Sequence, residues 1–300
     1  MTKEIRFADW SMREEITSLW QSCFAERREA VDLFFAYHFH PTDTLVLKVD
    51  GRIVAMVHML PGEILTEAGR LQAHYIYAAA TDKALRGQGL MGELMARSAA
   101  EGTARGDHYA FLLPADTGLY DFYAKHGFDK FFKTAFCEIS RRELERAGCA
   151  PDRVAPTVDV TPRALKETRD SFVAVSPGSA VWSEQAIDFA VRVTKLYGGQ
   201  LVTACSNGRV AYALCSPVHA GQCEVLEFGA SPHDEAALCA AVLDSVPAEH
   251  FRFRLPAHRT LLGRTGQPVD FGMIKPLTPP AARSLQFVAC STPYLGLTLD

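Results

Sequence analysis

Apolar positions along this chain recur with two periods, near two and near 3.6 residues, in an order that predicts a mixed α/β fold. Residues 5–8 (Ile5-Arg6-Phe7-Ala8) read as a short strand. Ser11 is the expected helix N-cap, with Glu14 three residues on, and Ile16, Leu19, Trp20 and Cys23 then keep helical spacing. Val31, Phe34 and Phe35 mark a second helix that ends before Pro41. Apolar runs at 45–49 and 53–60 meet across Asp50-Gly51, a hairpin turn, and Pro61-Gly62 is expected to close the second run. A long strand follows over about 71–81, then a helix over about 88–105 with Leu90, Met91, Leu94 and Met95 on one side. A strand at 109–113, a short helix at 116–125, a strand at 128–139 and a charged helix at 141–146 complete the first half.

Gly148, Pro151, Pro156 and Pro162 punctuate what comes next, so the pattern places a boundary at 147–160, with domains at 1–147 and 160–300. The second half echoes the first. Asp50-Gly51-Arg52-Ile53-Val54-Ala55 has a counterpart in Asn207-Gly208-Arg209-Val210-Ala211-Tyr212. A strand (71–81; 223–230), an Ala/Leu-rich helix (88–105; 235–246) and another strand (109–113; 251–255) follow in the same order. Self-similarity in fixed order predicts a duplicated domain. The end of the chain, 286–300, reads as apolar and strand-like.

Composition narrows the function classes. The 300 residues are 48% hydrophobic and 22% charged, enough apolar side chain for two packed cores. Lys plus Arg number 31 against 35 Asp plus Glu, a net charge of −4, which argues against nucleic acid as partner. The polar start Met1-Thr2-Lys3-Glu4 is not that of a signal peptide, and no apolar run approaches the ~20 residues of a membrane span, so the expectation is a cytoplasmic protein without a membrane partner. None of the eight cysteines forms a C-x-x-C pair; they read as small buried thiols. The histidines lack ligand spacing, His38-x-His40 coming nearest, and no metal site is expected.

The stretch that carries chemistry is Ala78-Ala79-Ala80-Thr81-Asp82-Lys83-Ala84-Leu85-Arg86-Gly87-Gln88-Gly89-Leu90-Met91-Gly92, a strand, a tight loop and a helix start. A helix start exposes unpaired N–H groups and the positive end of the macrodipole. Glycines there let backbone amides approach an anion, so Arg86, Gly87 and Gly89 suit a pyrophosphate cradle. The loop lacks the Gly-Lys-Ser/Thr of a P-loop and the three-glycine spacing of a dinucleotide fingerprint.

With Tyr120-Asp121-Phe122-Tyr123-Ala124-Lys125-His126-Gly127-Phe128 some thirty residues on, the chain resembles the GNAT N-acetyltransferase superfamily, whose acetyl-CoA motif runs strand, Arg/Gln-x-x-Gly-x-Gly/Ala, helix, and whose later motif ends Gly-Phe. Met91 stands where the family has a small residue, a departure similar to that of the multidomain enhanced-intracellular-survival branch, which carries a second, degenerate GNAT-like domain and a further C-terminal domain for which this chain has little room. The resemblance implies an α/β (α+β) chain of two tandem GNAT-like domains, each a mixed, mostly antiparallel sheet flanked by helices. It implies acetyl-CoA as co-substrate and an N-acetyltransferase reaction by direct attack of an amine. It assigns the backbone of Ala79, Ala80 and Thr81 to the pantetheine arm, and Arg86 with the amides of Gly87, Gln88, Gly89, Leu90 and Met91 to the pyrophosphate. Tyr123 matches the tyrosine that protonates the departing thiolate, with Tyr120 as competitor.

The second half lacks this apparatus: its equivalent loop, Ala230-Ser231-Pro232-His233-Asp234-Glu235, sets two carboxylates where a pyrophosphate would sit, and it reads as a non-catalytic companion. For the general base, Glu63, His58, His74 and the C-terminal carboxylate of Asp300 stand as candidates, the last because in the related branch the chain terminus reaches the active site. A CoA-binding module that transfers nothing is the alternative reading. The acceptor amine, small molecule or peptide, is not named by the sequence, and a homo-oligomer is left open.

Overall fold

Residues 2–148, 160–206, 209–287 and 292–299 are described by the computed structural model. The chain divides into two units, Met1–Phe131 with Gly272–Phe287, and Phe132–Phe271 with Val288–Asp300. The first contains β1 (Lys3–Phe7), α1 (Arg13–Phe24), α2 (Arg28–Tyr37), β2 (Thr44–Val49), β3 (Arg52–Thr66), β4 (Gly69–Thr81), α3 (Leu90–Ala104), β5 (Tyr109–Leu112), α4 (Leu119–Ala124) and β6 (Asp129–Lys130). From far along the chain it also takes β16 (Met273–Pro276) and α9 (Pro279–Phe287). Its strands lie in the order β1-β2-β3-β4-β5-β16-β6, antiparallel except for the parallel pair β4/β5. Leu45, Leu47, Val57, Met59 and Ile76 of the sheet pack against Leu90, Leu94 and Met95 of α3.

The second unit contains β7 (Lys133–Ser140), α5 (Arg141–Arg146), α6 (Pro162–Val173), β8 (Ala180–Val181), α7 (Glu184–Leu196), β9 (Gln200–Ser206), β10 (Arg209–Cys215), β11 (Gln222–Gly229), α8 (Glu235–Ser245) and β12 (His250–Pro256). A small hairpin of β13 (Thr260–Leu261) and β14 (Arg264–Thr265) precedes β15 (Gln267–Asp270). The sheet runs β15-β7-β12-β11-β10-β9, and β11/β12 is its parallel pair. The predicted echo is therefore realised in topology: β2-β3-β4-α3-β5 and β9-β10-β11-α8-β12 share order and strand directions. In each unit a further antiparallel strand borders the last of these, β16 on β5 and β7 on β12. Each comes from the opposite half of the chain.

That exchange corrects two expectations. The units part at Phe131/Phe132, whereas the proline and glycine punctuation pointed to 147–160. The single strand expected over 128–139 is two strands, β6 and β7, in different sheets. Three local expectations also shift. Asp9, not Ser11, caps the first helical segment, its carboxylate accepting the Ser11 N–H at 2.9 Å. β3 continues through Pro61-Gly62 to Thr66, because the β2 ladder has already ended at Thr44↔His58 and Pro61 needs only to face His74 of β4. In the expected terminal strand, α9 reaches Phe287, and 292–299 is irregular although Tyr294, Leu295, Leu297 and Leu299 are buried. The buried Arg169 guanidinium holds this segment, donating to Leu295 O (2.9 Å), Ala180 O (2.7 Å) and Glu227 Oε1 (3.0 Å).

Candidate active site

β4 and β5 pair only over Ala73–Tyr75 against Tyr109–Phe111, after which β4 runs on to Thr81 while β5 stops at Leu112. Past Tyr75 that edge of β4 has no strand partner among the described residues. Within this unpaired stretch Ala78 has φ 45°, and two residues, Ala78 and Ala79, stand against the single Val57 of β3. This β-bulge re-aims the backbone at a cost of order 1–3 kcal/mol for the strained alanine. The sequence carried no signal for it beyond a run of three alanines.

The loop after β4 delivers α3 to the open end. Asp82 accepts the Ala84 N–H at 3.0 Å and the Leu85 N–H bonds Asp82 O at 2.9 Å, so the turn is closed before Arg86. Gly87 (φ 78°) and Gly89 (φ 79°) then take left-handed conformations, and a Cβ on either would meet nothing within 4 Å. Glycine is needed there for its backbone conformation, and the space in front of both residues is open. Among the described residues, no protein acceptor takes the N–H of Gly87, Gln88, Gly89, Leu90, Met91 or Gly92. Six amides at the positive end of a fifteen-residue helix are thus available to an anion. Arg86, Gly87, Gln88 and Gly89 are exposed, Met91 is half-buried and Leu90 is in the core. Arg86 donates through Nε to Thr81 O at 3.2 Å, which lays its guanidinium back over the loop. The Cys23 thiol shares that carbonyl at 3.3 Å. Ala80 is buried, while Ala79 and Thr81 are partly open.

Tyr123 lies on α4, 8% exposed, with the rings of Phe122 and Phe128 at 5.1 and 5.8 Å, in the same apolar cluster as Leu90 and Leu94, onto which Ala79 and Met91 pack. The structure thus gathers β4, the start of α3 and Tyr123 into one region of the first unit. Two further residues hold them in register. A Cβ on Gly92 would stand 2.7 Å from His126 Cε1, so the first turn of α3 rests directly on the turn that ends α4. Lys275 of β16 donates to His126 O at 2.9 Å and pins that turn. Burial lowers its pKa from the ordinary lysine value. The glycine was visible in the motif; a lysine some 150 residues downstream was not. Tyr120, the competing tyrosine, accepts the Gly272 N–H at 3.4 Å and has Lys130 Nζ 5.2 Å from its ring centre.

Two candidate bases are excluded by burial. His74, fully buried, donates to Asp107 Oδ2 at 2.7 Å and meets Ser98 Oγ at 3.2 Å. The order Ser98-His74-Asp107 has the look of a nucleophilic triad, but the serine is 1% exposed and Arg105 locks the aspartate at 2.7 Å. It is a structural chain that joins α3 to β4. His58, equally buried, bonds Thr44 Oγ1 at 2.8 Å among Trp20, Phe34 and Tyr77, and desolvation holds its pKa down to about 3. Glu63 keeps solvent access, with Arg70 3.9 Å away. Asp300 lies outside the described residues. Among the described residues no group of histidine, cysteine and carboxylate side chains could hold a metal, and no helix is long and apolar enough to cross a membrane.

The bulged, one-sided end of β4 and the helix-start amides without a protein acceptor thus lie side by side in the first unit. Residues 4–131 match the family model described as an acetyltransferase (GNAT) domain, and the first unit is a GNAT domain. Solved structures share the fold over nearly the whole chain at low identity. GCN5-related N-acetyltransferase from Anabaena variabilis is 12% identical with TM-score 0.76, covering 94% of this chain and 74% of that one. A conserved protein of unknown function from Enterococcus faecalis, described as a probable N-acyltransferase, is 15% identical with TM-score 0.73, covering 92% and 73%. Eis1 from Mycobacterium abscessus is 15% identical with TM-score 0.69, covering 93% and 75%. No curated protein matches the sequence.

Proposed function

We propose that the chain is an acetyl-CoA-dependent N-acetyltransferase whose first unit binds the thioester and passes the acetyl group to a primary amine, small molecule or peptide, in a ternary complex. The carrying observation is the row of amides from Gly87 to Gly92 that no protein acceptor takes among the described residues. They fit a diphosphate, with Arg86 adding charge. The edge of Ala79, Ala80 and Thr81 fits a pantetheine arm laid alongside as an added strand. Backbone N–H donors along that edge would polarise the thioester carbonyl, where developing negative charge gains most. The amine nitrogen bonds the carbonyl carbon, the C–S bond breaks, the nitrogen loses a proton to a base, and the Tyr123 hydroxyl protonates the leaving sulfur. Glu63 and the Asp300 carboxylate are the bases left to supply the other proton transfer.

The test is a titration of the full chain with acetyl-CoA, paired with free-thiol release over an amine library. Arg86→Glu is expected to weaken acetyl-CoA binding by at least tenfold, because it sets a carboxylate beside the phosphates. Unchanged affinity would remove the cradle. Tight binding without acceptor-stimulated thiol release would support the silent binding module instead.

A further inference from the structure

The second unit holds a cavity of about 780 Å³ that acyl transfer in the first unit does not use. One wall is α6, with Glu167, Thr168, Ser171 and Phe172; β10 adds Val210, and the β11–α8 loop closes the far side. The hydroxyls that line it are already committed as donors. Thr168 Oγ1 donates to Val210 O at 2.8 Å, Ser171 Oγ to Glu167 O at 2.8 Å, and Ser231 Oγ to Asp234 Oδ2 at 2.6 Å. A hydroxyl has one proton, so each of these can offer a ligand only lone pairs.

Asp234 adds charge to that pattern. It lines the cavity, is 7% exposed, and among the described residues has no cation within ion-pair distance. A carboxylate so placed is stabilised by a cation that enters with N–H donors. The cavity's own cation, Arg259, is tied to Glu235 Oε1 at 2.7 Å, and His258 Nδ1 is engaged with Thr292 Oγ1 at 3.1 Å. Phe172, Val210 and Pro232 supply apolar surface, and Val175, 73% exposed, stands at the mouth.

We propose that this cavity is a binding site for a small organic ammonium, an apolar body bearing a primary amine whose N–H groups meet the Asp234 carboxylate and the hydroxyl lone pairs. The β11–α8 loop, which holds the place in the second unit that the β4–α3 loop holds in the first, would then carry the opposite charge preference.

The experiment uses the full chain without acetyl-CoA and 2-phenylethylamine as probe, followed by calorimetry at pH 7. Saturable binding to the wild type is expected, weakened about ten- to hundredfold in Asp234→Asn, the usual consequence of removing a charged hydrogen-bond partner. Ser171→Trp, a change at an exposed position of α6, should fill the cavity and abolish binding even if Asp234→Asn proves unstable. Neutral 2-phenylethanol should bind at least tenfold more weakly. No binding to the wild type, equal binding in all three proteins, or preference for 3-phenylpropionate would overturn the proposal, the last by showing an anion site. These substitutions lie outside the first unit, so thiol release measured alongside separates this result from the fate of the transferase reading.

Discussion

Tyr123 and His58 show how one kind of environment gives two outcomes. Both sit among aromatic rings of the first unit, but Tyr123 keeps 8% exposure at the end of an element that abuts the start of α3, whereas His58 is sealed. Tyr123→Phe is expected to lower kcat at least a hundredfold, within the range of a lost proton donor, and to leave the acetyl-CoA Kd within twofold. Equal losses in both would make the residue structural. For His58, the ordinary value is 6.5 and burial lowers it to about 3. The unfolded chain therefore takes up the proton first, so this group's contribution is complete above about pH 6.5 and is lost as pH falls toward 3. Between pH 7 and pH 5 the loss is about 2 kcal/mol. His38, lowered to about 4 by burial, acts in the same direction. Urea unfolding at the two pH values checks this: His58→Gln should show a smaller drop than the wild type, and an identical drop would place the effect elsewhere.

At the scale of elements, the loop and helix start proposed as the cradle were legible because their chemistry is local. Arg86, Gly87 and Gly89 announce an exposed helix start, and α3 runs from Leu90 to Ala104 within two residues of the spacing's prediction at each end. What the spacing could not show is why α3 and α4 hold register. Gly92 is the contact point, and a side chain there collides with His126. Gly92→Val is expected to lower stability by about 2 kcal/mol through overpacking and to weaken acetyl-CoA binding several-fold, since the cradle and Tyr123 then shift apart. A thermal melt and the acetyl-CoA titration check both halves. If the melt is unchanged, the imidazole has moved aside and the contact does not set the register. The Asp9 cap and the run of β3 through Pro61 were missed for a related reason. Several polar residues precede α1, and which one bonds a backbone N–H depends on the path of the chain.

At the scale of the whole molecule, the strand exchange decides what can stand alone. A fragment ending in the proline-rich segment, 1–147, would keep β7 without its sheet and leave β5 without β16. It is expected to be insoluble or molten, while a chain of residues 1–131 with 272–287 joined by a linker is expected to fold cooperatively. Circular dichroism melts of the two distinguish them, and a cooperative melt of 1–147 would show that the exchanged strands are dispensable. The sequence by itself determined the fold class, the repeated order of elements in the two halves, and the glycine-bearing loop at the start of α3, because period, turn chemistry and glycine placement act over a few residues. Only tertiary structure decided which sheet each of β6, β7 and β16 joins, that His58 and His74 are sealed, that Lys275 reaches His126, and that a cavity opens beside Asp234. Those outcomes depend on strand pairing and packing between residues as far apart as Tyr109 and Pro276, which no local pattern encodes.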